Sequence, residues 1–105
     1  MWTAFVSVNQ SYAPGDSLDS LTEAAQSAWP LTLELARKAE FLVAVYEGRP
    51  IMAWSVFDAY ATEHTYETTG GTRPRKGFRT GSPVPVRPEW HDVPALRRGV
   101  AVKDS

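Results

Sequence analysis

Two apolar runs separated by a single glycine constrain this chain more than anything else in it. Residues 41–47 and 51–60 are both rich in aromatic and β-branched side chains, and Gly48 stands between them. Runs of that length and composition around a turn residue predict a β-hairpin. Gly48 supplies the positive φ a tight turn demands, and Pro50, which has no amide to donate, fits an edge-facing position. Alternation sends Leu42, Ala44 and Tyr46 to one side of the first strand and Phe41, Val43 and Val45 to the other. Both sides are apolar. The strand is therefore expected to be covered twice, by helices and a second sheet or by the inside of a closed barrel.

The remaining elements are read around that hairpin. Trp2, Phe5, Val6 and Val8 predict a first strand over residues 2–8, and Asn9, Pro14, Gly15 and Asp16 mark residues 9–17 as a loop. Ser20 and Glu23 have the spacing of a capping box, which predicts a short helix through Ala24, Ala25 and Ala28. Pro30 disfavours helical backbone at Trp29, so the chain is expected to break there. A second helix over residues 31–39 places Leu31, Leu35 and Ala39 on one face, with Glu34 four residues before Lys38. Residues 61–81 are polar and threonine-rich with Gly70 and Gly71 adjacent, which reads as a long loop. Pro83, Pro85 and Pro88 make residues 82–88 extended. One helical turn over residues 95–98 and a closing strand over 99–103 complete an α+β domain: a mostly antiparallel curled sheet or small β-barrel with two short flanking helices.

With 105 residues the chain supports one core and hence a single domain. It has no cysteine, which excludes a disulfide framework and a thiolate metal site and fits a reducing compartment. The opening apolar run ends at Val8, without a basic leader and far short of the ~20 apolar residues of a membrane span, so a cytoplasmic, non-membrane protein is expected. The net charge of −1 hides an asymmetry. Up to Thr72 there are three basic residues against nine acidic, a balance of −6; from Arg73 onward there are eight against three, a balance of +5. The second part suits an acidic partner, or the two parts face each other.

Catalytic signatures are scarce. His64 and His91 are far apart in sequence, and Glu63, His64 and Glu67 form only a weak metal-like spacing, so no metal or other cofactor is expected. Neither a glycine-rich phosphate loop nor a nucleophile elbow is present. Asp58, Glu63 and Glu67 are expected to serve solubility, and no catalytic residue is nominated. Among the aromatics, Trp54 is expected in the core and Trp2 in the core or at its rim. Trp29 and Trp90 stand beside breaks at Pro30 and Pro88, where a ring either plugs the end of a barrel or offers a stacking face; Tyr46 and Phe78 carry the same two alternatives. The most suggestive segment runs from Arg73 to Arg79. It sets Arg73, Arg75, Lys76 and Arg79 around Phe78, a composition that follows a phosphate backbone while stacking a base, or that pairs internally with carboxylates.

In "WPLTLELARKAEFLVAVYEGRPIMAWSV" and the later "RKGFRTGSPV", over Trp29 to Val86, the chain resembles small PUA-like domains of the ASCH and EVE type. The resemblance implies a compact β-barrel flanked by helices and a function in binding RNA or modified DNA bases. It implies a pocket between Trp29, the hairpin and Gly77-Phe78, with aromatic rings sandwiching a flipped base. The expectation is a non-enzymatic nucleic-acid-binding module, with RNA or DNA as partner. The rival is a protein-interaction module, a small inhibitor or adaptor, docking through its acidic part or its proline-rich segment.

Overall fold

The structure, a computed structural model, describes residues 1–104. Strand β1 (Trp2–Ser7) leads through a loop into helix α1 (Leu18–Gln26) and helix α2 (Leu33–Lys38). Strands β2 (Phe41–Tyr46), β3 (Arg49–Thr68) and β4 (Gly71–Val84) follow, then a 3₁₀ turn over Pro88–His91 and strand β5 (Val100–Asp104). The five strands form one sheet in the order β4-β3-β2-β1-β5. Only β1 and β2 run parallel, as the helical crossover between them requires; the other neighbours are antiparallel.

The expected hairpin is β2–β3. Glu47 and Gly48 both have positive φ, 50° and 78°, which is the backbone of a type I′ turn and matches the twist of the flanking strands. Pro50 stands not on an edge but near the start of a central strand. It is tolerated there because the register shifts between Ala44 and Val45, so that Pro50 sits at an irregularity in the ladder.

The two-sided burial of β2 holds. Leu42 and Ala44 pack with Ala4, Val6, Trp54 and Phe78 against Leu21 and Ala25 of α1 and Ala36 of α2. Val43 and Val45 join Phe5, Ala53 and Trp90 on the opposite side. That side is covered by the 3₁₀ turn and the chain around it rather than by a second sheet. Trp90 is 1 % exposed, and its bulk closes the smaller cluster in place of a whole layer.

Three sequence expectations are corrected. Residues 61–81 are not a loop: they are most of a long β3–β4 ribbon turning at Thr69 and Gly70, between the Thr68↔Gly71 pair. The threonines are β-formers on an exposed ribbon, and the prolines of β4 are accepted because β4 is an edge strand. The first helix is capped by Ser17, whose hydroxyl accepts from the Ser20 amide at 3.1 Å, so Ser20 lies inside the helix and the capping box does not form. Leu21 and Ala25, four residues apart, form the buried face of this helix. Residues 95–98 form no helical turn, since Val100 N–H donates to Arg97 O at 3.1 Å and closes a tight turn instead.

Closure into a barrel is not made by strand pairing: β4 and β5 are the two edges of an open sheet. The edges nonetheless meet the same residue. Trp29 exchanges both backbone hydrogen bonds with Lys76 of β4 at 2.8 Å, while its ring lies against Gly99, just before β5. Arg98 also reaches toward Glu67 O at 3.5 Å on the far end of β3. The sheet is thus curled, and Trp29 and Arg98 occupy the seam between its edges.

Candidate functional site

Strand alternation makes a row of the odd-numbered residues of β4: Arg73, Arg75, Gly77 and Arg79 share one face. The even-numbered Lys76 and Phe78 are buried on the other. Register with β3 puts Tyr66 across from Arg73 and Tyr60 across from Gly77. The guanidinium of Arg79 lies over the Tyr60 ring at 4.5 Å, and those of Arg75 and Arg98 approach Tyr66 at 6.0 and 5.9 Å. Arginine and tyrosine are therefore interleaved on this face, with Asp58 directly across from Arg79. Each stack holds a flat cation in place and leaves guanidinium N–H groups for an acceptor.

Gly77 belongs to this arrangement for a steric reason. A Cβ at that position would lie 2.7 Å from the Tyr60 ring, so glycine is what lets Tyr60 cross β4 and reach Arg79. The close approach at Gly77 is made by a tyrosine of the same chain.

At the seam the row opens into a cleft of about 790 Å³. Its walls include Asn9, Gln10, Ser27, Trp29, Arg75 and Arg98. Trp29 is half-buried; its indole N–H donates to Ala25 O at 2.8 Å, which fixes the ring and leaves its remaining exposure apolar. Arg75 is positioned by donating to Thr65 O at 3.1 Å and to Ala28 O at 3.3 Å. Arg98 and Gly99 have φ of 55° and 83°, and this left-handed turn brings Arg98 to the rim. Among the described residues the side-chain ion pairs are Arg37–Asp58 and Arg87–Glu89, so Arg73, Arg75, Arg79 and Arg98 have no carboxylate within 4.0 Å. Guanidinium groups stay charged at all ordinary pH, which suits anion binding rather than proton exchange.

The sequence-nominated residues divide accordingly. Arg73, Arg75 and Arg79 come together on one strand face, and Trp29 shares the cleft with Arg75. Phe78 and Trp90 are each 1 % exposed in separate clusters and offer no stacking face: both fill core. Lys76 is also buried, its ammonium donating to Pro74 O, so it presents no charge to a phosphate. Burial, and secondarily Arg73 beside it, holds its amine below the usual lysine range. Tyr46 is half-buried in edge contact with Tyr12 at 5.6 Å and lines a different depression with Pro14, Arg49 and Ile51. His64 and Glu67 are exposed on β3, and His91 lies in the 3₁₀ turn; among the described residues no three metal-ligating side chains are grouped.

Tyr60, Tyr66 and Arg98 were not singled out from sequence. The signal for the tyrosines was the two-residue spacing of Arg73, Arg75, Gly77 and Arg79, which marks a strand face and so requires a partner strand with residues opposite. Arg98 carried no such signal, because only the curl of the sheet brings it to Tyr66. No helix among the described residues is long and apolar enough to cross a membrane. Comparison of the chain with protein-family models, with curated proteins and with solved structures finds no match.

Proposed function

We propose that this chain is a nucleic-acid-binding domain of PUA-like architecture, whose phosphate-binding surface is the arginine row of β4 and whose base-binding pocket is the seam cleft. The observation that carries the reading is the alignment of Arg73, Arg75 and Arg79 on one strand face, with Arg75 and Arg79 against tyrosine rings and, among the described residues, no carboxylate within 4.0 Å of the three. A phosphate backbone lying along β4 meets one guanidinium after another, and the cleft beside Arg75 receives a base against Trp29. The curl of the sheet around Trp29 supports the PUA-like assignment, with the tryptophan bridging edges that a closed barrel would pair.

Titration of labelled single- and double-stranded RNA and DNA oligonucleotides at low salt tests the proposal. Binding tighter than about 100 µM, the weak end of ordinary non-specific association, is expected. Weaker binding to all four probes contradicts it and leaves the protein-interaction reading, for which the exposed Pro83, Pro85 and Pro88 are the feature to pursue.

A further inference from the structure

The most exposed large apolar side chain of the domain is Phe57, 71 % accessible on β3. An exposed phenylalanine gains nothing from water, and this one has a specific setting. On one side it borders a depression of about 290 Å³ whose walls include Tyr60, Arg79, Gln26 and Thr80. On the other it borders a second depression with Arg37, Lys38 and Asp58. Two of the three cations in the acidic first part of the chain thus lie beside it. Glu40 also lines this second depression, accepting from the Trp2 amide at 3.3 Å, and Asp58 and Arg37 pair with each other at 3.6 Å. A flat apolar ring beside Arg79 complements a ligand with an aromatic face and an adjacent anionic group.

We propose that Phe57 is the stacking platform for an unpaired base of a single-stranded nucleic acid, with Arg79 taking the adjacent phosphate. This rests on the reading of β4 as the phosphate-binding strand and extends it in two ways. It adds a base subsite at the end of the arginine row remote from the seam cleft, and it makes single strands the ligand class, since a base stacked within a duplex cannot present its face to Phe57. The Gln26 amide donates to Thr80 Oγ1 at 2.8 Å, so the wall of the depression is a fixed polar pair facing the edge of such a base. The strand then runs from Phe57 past Arg79 and Tyr60 to Arg75. The two arginines are four positions apart on β4, about 13 Å of extended backbone.

The test is a titration of fluorescein-labelled single-stranded oligonucleotides of about ten nucleotides, and of the matching duplexes, against wild type, Phe57→Ala, Phe57→Trp and Arg79→Ala. Thermal unfolding of each variant checks that it folds, which the exposure of Phe57 leads one to expect. Phe57→Ala is expected to weaken single-strand binding about five- to 150-fold, the equivalent of about 1 to 3 kcal/mol, without changing the salt slope. Phe57→Trp is expected to retain affinity, and Arg79→Ala to reduce the slope by about 0.7. Wild-type binding of single strands that Phe57→Ala leaves unaltered overturns the platform and leaves the arginine row standing. Equal loss on single strands and duplexes overturns stacking on an unpaired base. Wild-type failure to bind any probe overturns both proposals together.

Discussion

Phe78 shows how one residue type at one position changes meaning once its strand is known. In sequence it is the only aromatic among four cations; in the sheet it alternates with the arginines and points to the opposite face, 1 % exposed beside Leu21 and Ala25. Phe78→Ala is therefore expected to cost about 3 to 5 kcal/mol and to lower Tm by more than about 10 °C in a thermal melt. A loss of oligonucleotide affinity at unchanged Tm contradicts the core assignment. Lys76 gives a second residue-scale prediction. Its amine titrates below 10.5 in the folded state, so the unfolded chain binds the proton more tightly and the penalty is present at neutral pH. As pH rises toward 10.5 the penalty disappears. Lys76→Met is expected to raise Tm at pH 7, by a margin that shrinks as pH rises toward 10.5; a margin that is constant or grows over that rise contradicts the assignment.

At the scale of elements, β1, β2 and the closing strand were legible because apolar alternation or a double-sided apolar run survives any context. The β3–β4 ribbon was not legible, because an exposed two-stranded ribbon has no buried face to impose alternation, and its prolines and glycines carry the same composition as a loop. The helices were read correctly in existence but not in their first turns. Ser17 and Ser20 are both plausible caps, and the choice is made by where Leu21 must point. Ser17→Ala is accordingly expected to cost about 0.5 to 2 kcal/mol in denaturant unfolding, and Ser20→Ala clearly less. The ribbon offers its own check through Gly77. Gly77→Ala drives a methyl group into the Tyr60 ring, whereas in a Tyr60→Ala background the three atoms nearest that methyl are gone. Non-additive stabilities in that double-mutant cycle are the expected outcome, and additivity contradicts the crossing of Tyr60 over β4.

For the whole molecule, the charge asymmetry of the sequence proved more informative than any single motif. It placed the cations after Gly71 but not their geometry, which depends on β4 being a strand and on the sheet curling until Arg98 reaches Tyr66. The candidate site was half legible for that reason: the arginines were visible as a cluster, the tyrosines and Arg98 only as neighbours in space. The central claim is that a phosphate backbone lies along Arg73, Arg75 and Arg79. It is tested most directly by measuring Kd for a single-stranded oligonucleotide as a function of salt, for wild type and for the triple Arg73→Ala, Arg75→Ala, Arg79→Ala variant. Three lost phosphate contacts are expected to reduce the slope of log K against log salt by about 2, at roughly 0.7 per contact, with the fold intact by circular dichroism. A wild-type slope that the triple variant reproduces contradicts the account.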